Sequence, residues 1–205
     1  MNLKRLLLDI RVSAPVALIF VVLSVQFWDQ PLALWIAKVQ MTYAHHLRNS
    51  HIPDLLLIIT ILLTSLSWLG YFYFVHRNIH DRRTQFLRIV GIIMPVTYVV
   101  KDFLKWIFGR TDTRIWLKHP GWHDFHWFAG TKGFEGFPSG HMLVFTPLLL
   151  ALWQFFPRYW LYYGIVWLTL GAALIATEYH FLGDVIAGAY TGVVVYLAIS
   201  HVFRS

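Results

Sequence analysis

Cysteine is absent from this chain, which excludes a disulfide framework and any thiolate metal site. Charge is scarce as well. Only 13% of the residues are charged, where a soluble domain carries roughly a quarter. With 58% hydrophobic and 18% aromatic residues, the chain has too few polar groups to cover a water-borne globule. A basic stripe on a polar domain is also missing. The net charge of +7 is mostly in connectors between apolar runs, as membrane topology distributes it, so nucleic acid is not an expected partner. The 205 residues leave room for one domain, 1–205.

What is there is a series of apolar segments. Val12–Trp28 is an uncharged run behind Lys4, Arg5 and Arg11. It lacks the small-residue cleavage site of a signal peptide, so an uncleaved first span is expected. Pro31–Arg48 reads as an amphipathic helix, with Leu32, Trp35, Ile36, Val39, Tyr43 and Leu47 recurring at three- and four-residue steps. Beside a membrane such a helix is expected to lie in the interface plane. His45, His46 and His51 read as residues of its polar side. Leu55–Val75 and Phe86–Phe108 are the second and third spans, and Lys101, Asp102 and Lys105 lie in the last turns of the third. Ionisable groups at that depth mark function or snorkel to the interface.

Gly109–Phe137 is the longest polar stretch. Its glycines and aromatics predict a folded cap. Ser139–Phe156, Trp160–Thr177 and Phe181–Phe203 complete six expected spans, with Ser139 able to N-cap the fourth. Gly188 and Gly192 follow Asp184 at four-residue steps, giving the last span one face without bulk. The fold class expected is therefore all-α and polytopic, six transmembrane helices plus an interfacial helix. Lys4, Arg5, Arg11, Arg77, Arg82, Arg83, Arg158 and Arg204 mark the cytoplasmic side, with both termini inside. Lys105, Arg110, Ser139, His141, His180 and Asp184 then share the opposite surface.

That set suggests phosphoryl chemistry. The start of the fourth span offers free backbone N–H groups to an anion, and Lys105 and Arg110 add positive charge. Asp184, one turn after His180, is placed to hold the imidazole tautomer that leaves a nucleophilic nitrogen. His141 can protonate a leaving oxygen. Two metal readings remain open beside this one: His180 with Asp184 as ligands on a helix, and a cluster of His119, His123, Asp124 and His126.

The residues from about Lys101 to Gly192 resemble the type 2 phosphatidic acid phosphatase superfamily of membrane lipid phosphatases, to which vanadium haloperoxidases are more remotely related. The family carries Lys-x6-Arg-Pro, Pro-Ser-Gly-His and Ser-Arg-x5-His-x3-Asp. The second motif is intact as Pro138-Ser139-Gly140-His141, and the third ends as His180 and Asp184. The first motif's lysine maps to Lys105, but its arginine and proline positions hold Asp112 and Thr113. The third motif's serine and arginine positions hold Ala173 and Leu174. Arg110 and Arg114, flanking Asp112, are the expected substitutes, with Lys101 a further contributor.

The resemblance implies a metal-independent lipid phosphatase with no cofactor; the small size and single-module plan suggest a bacterial cytoplasmic membrane, and the charge pattern puts the site on the outer face. It implies His180 as nucleophile, Asp184 behind it, and His141 as acid. Lys105, Arg110, Arg114, Ser139 and Gly140 would hold the phosphate. The substrate would be a lipid phosphate or diphosphate. A phosphotransferase between lipids, or a lipid-binding homologue without catalysis, are the alternatives.

Overall fold

The computed structural model describes residues 9–43, 54–122, 125–129 and 133–203. His45, His46, His51, His123, Asp124, and the cytoplasmic markers Lys4, Arg5 and Arg204 lie outside them. The described chain is built from helices: α1 (Ile10–Leu23), α2 (Asp29–Tyr43), α3 (Asp54–His76), α4 (Arg82–Phe108), α5 (Thr113–Lys118), α6 (Gly140–Phe155), α7 (Trp160–Ala176) and α8 (Leu182–Val202). One isolated antiparallel bridge joins Arg110 to Phe125.

Among the described residues, four stretches are long and apolar enough to cross a membrane: Val12–Met41, Leu55–His76, Pro157–Ala176 and Leu182–Val202. The expected six spans also needed α4 and α6, which do not meet that measure. The α6 helix has only 16 residues. The α4 helix has 27, but Arg82, Arg83 and Arg88 begin it and Lys101, Asp102 and Lys105 end it. Leu18, Leu69, Tyr162 and Leu168 are among the large apolar side chains left exposed. A helix whose outer surface is this apolar is suited to lipid.

Among the described residues, the expected Pro31–Arg48 stretch does not form a separate interfacial helix. A five-residue π-helical segment, Ser24–Trp28, joins α1 directly to α2, so the backbone stays helical from Ile10 to Tyr43. Ser24, Asp29, Ala33, Ile36 and Gln40 are buried. Their spacing is three or four residues except for one step of five, which falls across the π segment. That wider turn brings Asp29 onto the same inward face as Ala33 and Ile36. Leu34 and Trp35, by contrast, are exposed, so the buried stripe is rotated from the one expected around Leu32, Trp35 and Val39. Gln40 Nε2 donates to the carbonyl of Ala176, tying α2 to the end of α7.

The core lies between α3, α4, α6 and α8, where Leu56, Ile93, Met94, Val144, Ala151 and Tyr196 pack together. Asp81 starts α4 by accepting from the backbone N–H groups of Arg83 and Thr84 at 2.9 and 3.1 Å, an N-cap. Gly109 ends α4 at φ 52°, with its N–H on Lys105 O. The left-handed conformation there suits glycine. A Cβ would also fall 2.0 Å from His126 O.

The bare face expected of the last span is real. A Cβ at Gly188 would lie 2.4 Å from Ser139 O, and one at Gly192 would lie 2.9 Å from Leu143 O. The two glycines let the α6 backbone lie directly on α8.

Candidate active site

The described residues of the 109–137 segment form a folded cap. Its backbone is pinned where His126 N donates to Gly109 O, Phe128 N to Ile107 O, Asp112 N to Gly133 O and Gly136 N to Arg110 O. Phe108, Phe125, Trp127 and Phe137 form an aromatic cluster beneath it, with Phe108 and Phe137 4.9 Å apart. Under this cap is a cavity of about 420 Å³, lined by Leu56 and Leu57 of α3, Tyr98, Lys101 and Lys105 of α4, Asp112, Arg114, Ile115, Glu135, Gly140, His141, Tyr179 and His180.

His180 is delivered by a turn whose signal is easy to miss in the sequence. The α7 helix ends in a Schellman motif: Glu178 N donates to Ile175 O and Tyr179 N to Leu174 O. The left-handed residue of that motif is Glu178, at φ 57°, where glycine is usual. A bulkier residue held there costs free energy and is typical of functional sites. His180 follows immediately, and α8 begins two residues later.

The tautomer of His180 follows from its partner. Nδ1 lies 3.0 Å from Gly136 O, and a carbonyl oxygen only accepts, so Nδ1 carries a proton, and in the neutral ring Nε2 is the nitrogen with the lone pair. Asp184 was expected to make that contact. Its Oδ2 lies 3.7 Å from Nδ1, beyond hydrogen-bond reach. Asp184 Oδ2 instead accepts from Phe181 N at 3.0 Å, and its Oδ1 from Arg110 at 2.5 Å. The rings of His141 and His180 are 6.5 Å apart between centroids, so one phosphate between them can reach both.

Gly140 has a steric task. A Cβ there would lie 2.7 Å from Lys101 Cδ and 3.6 Å from Lys105 Cε. The glycine thus lets both lysine stems cross the start of α6, where unpaired backbone N–H groups already favour an anion. Lys101 Nζ pairs with Asp102 at 2.8 Å and lies 3.7 Å over the Tyr98 ring. Lys105 has no carboxylate partner within salt-bridge distance among the described residues. Arg114 stacks its guanidinium 4.1 Å from the Tyr179 ring centroid, and its Nη2 donates to Thr177 O at 2.8 Å.

Two expected phosphate ligands are elsewhere. Arg110 does not line the cavity. It is fully buried, with Nη1 on Asp184 and Nη2 on Asp29 at 2.7 Å, between the rings of Phe125 and Phe181. Burial works against its charge, but the two carboxylates more than offset this and raise its pKa. The guanidinium is spent on carboxylates. Ser139 occupies the N-cap position of α6 without a side-chain capping bond. Its Oγ is buried with no hydrogen-bond partner among the described residues, while its N–H donates to Asp184 O at 3.0 Å. That backbone bond ties the start of α6 to the start of α8.

Asp112 stands in the cavity where the family places an arginine. Burial raises its pKa, against the lowering influence of His180 and Lys105, which eases its conflict with a bound anion. Asp29 was missed by sequence reasoning. The available signal was a carboxylate within a long apolar stretch. Among the described residues no group of three or more His, Asp or Glu is placed to hold a metal ion.

A lipid A 1-phosphatase of Rhizobium johnstonii is 25% identical over 175 residues, covering 84% of this chain and 72% of that protein. No solved structure matches. The family model described as the PAP2 superfamily matches residues 86–205, more than half of the chain and all of the cavity's histidines and lysines, and the chain belongs to that superfamily.

Proposed function

We propose that this protein is an integral membrane lipid phosphatase that works through a phosphohistidine on His180. The observation that carries the reading is the Nδ1–H of His180 donated to Gly136 O, which makes Nε2 the nucleophilic nitrogen of the neutral ring. Nε2 attacks phosphorus, and the bond from phosphorus to the leaving oxygen breaks as His141 gives that oxygen its proton. Water then attacks the phosphohistidine and yields its proton to His141. The N–P bond breaks, and inorganic phosphate leaves.

Lys101, Lys105, Arg114 and the N–H groups at the start of α6 hold the equatorial oxygens. Fixed charge of this kind is the main source of catalysis in phosphoryl transfer. No metal is required by these steps. The apolar wall of Leu56 and Leu57 suits the acyl part of a lipid reaching the cavity from the bilayer. The relative's name favours lipid A as the kind of substrate, and the basic connectors of the sequence favour cytoplasmic termini with the site on the outer face of a bacterial inner membrane.

The test is phosphate release from lipid A, and from phosphatidic acid for comparison, by purified protein in detergent. Release is expected from the wild type and is lost in His180→Ala and His141→Ala. Full activity in both variants refutes the mechanism. Transfer of the phosphate to an acceptor lipid, with little released, converts the reading to a phosphotransferase. A wild type that neither turns over nor binds vanadate is a lipid-binding homologue.

A further inference from the structure

We propose that Asp29, on the first membrane helix and outside the family-matched residues, is a positioning residue for the His180 site. Four observations converge on it. Asp29 is 1% exposed, within the apolar stretch Val12–Met41. Its Oδ2 accepts from Arg110 at 2.7 Å, and Arg110 in turn donates to Asp184 at 2.5 Å. Its Oδ1 accepts from Gly183 N at 2.8 Å, an N–H in the first turn of α8 that has no partner within its own helix. Gly183 has no side chain at that point, and a Cβ there would lie 2.9 Å from Asp29 Oδ2.

One side chain of α2 therefore fixes the start of α8 in two ways. It binds the backbone beside Asp184 directly, and it clamps Asp184 through Arg110. Asp184 then fixes Ser139 N through its carbonyl and Phe181 N through its carboxylate. Phe181 adjoins His180, and Ser139 precedes Gly140 and His141. Both catalytic histidines thus take their place from a frame that Asp29 closes.

Stability alone does not account for such a group. A buried ion triad is commonly no better than apolar residues of the same volume, and its best-attested use is to specify one arrangement. The π segment just before Asp29 has the same sense, because without its extra residue the carboxylate would leave the inward face. Asp29 acts on the reaction through Arg110 and Asp184 and touches no substrate.

The kinetic readout of the test rests on the phosphatase reading, and its spectroscopic readout does not. Full-length wild type, Asp29→Asn and Gly183→Ala are compared in detergent, with lipid A as substrate. Histidine is labelled with ¹⁵N, and the His180 signals are assigned by their loss in His180→Ala. Asp29→Asn is isosteric and is expected to lower kcat about 10- to 100-fold, with KM within about threefold, as misplacement of a catalytic group does. The His180 ¹⁵N pattern is expected to move from the Nδ1-protonated tautomer toward a mixture. Gly183→Ala crowds Asp29 without changing any charge. It is expected to give the same two changes, and it decides the matter should Asp29→Asn fail to fold. Unchanged kcat and an unchanged ¹⁵N pattern in the folded variants overturn the proposal. A wild type that releases no phosphate refutes the phosphatase reading, and the ¹⁵N comparison still decides the role of Asp29.

Discussion

Replacing Arg110 with methionine separates a structural arginine from a phosphate ligand. The guanidinium is fully buried and bonded to two buried carboxylates. Methionine keeps most of the volume and removes the charge. Asp29 and Asp184 then share a buried site with no cation between them. Breaking a buried pair by removing one partner costs about 3–5 kcal/mol. In a chain of this size each kcal/mol shifts the melting midpoint by about 2–4 °C, so Arg110→Met is expected to melt about 6–20 °C below the wild type. Tryptophan fluorescence during heating in detergent reports it. An arginine that instead held phosphate would leave the midpoint nearly unchanged and weaken vanadate binding. A variant melting within about 2 °C of the wild type, with vanadate affinity lost, refutes the assignment of Arg110 to the frame.

Two further outcomes test neighbouring parts of the site. Gly188→Ala places a methyl 2.4 Å from the Ser139 carbonyl, a backbone atom that cannot swing aside; a loss of about 1–3 kcal/mol is expected, read as a lower melting midpoint together with reduced phosphate release. Asp112→Asn tests the buried acid of the cavity. Burial raises the Asp112 pKa above its ordinary 3.8, so the folded protein holds this proton over a pH range where the unfolded chain has lost it. Folding stability therefore falls as pH rises from near 3.8 through the folded value. The asparagine variant escapes this, so its melting midpoint is expected to exceed that of the wild type at neutral pH, with no advantage below about pH 3.8.

The parts of this molecule that could be read from the sequence were those encoded locally. His141 follows a Pro-Ser-Gly at a helix start, and His180 stands one turn before Asp184. The glycines at 188 and 192 recur at helical spacing, which marks the face that α6 uses. The partner of Asp29 could not be read this way, because Arg110 is 81 residues distant and no periodicity links them. The step of five residues from Ser24 to Asp29 breaks the helical repeat, so the stripe after Pro31 read as a separate surface helix when it is the continuation of the first. The seat of Arg110 was misjudged for a related reason. Its place two residues before Asp112, where the first motif's arginine would stand, suggested a substitute ligand, but Gly109 turns the chain, leaving Lys105 in the cavity and Arg110 on Asp29 and Asp184. Glu178 was overlooked as a helix terminator because the position it fills is one that glycine usually marks.

The claim that matters most is that His180 takes the phosphoryl group. Protein incubated with lipid A labelled with ³²P on its phosphate, quenched in alkali and digested, would carry the label on the peptide containing His180. The expected label is stable to base, lost in acid, and absent from His180→Ala. Phosphate release without label on that peptide, or label on another residue, would contradict it.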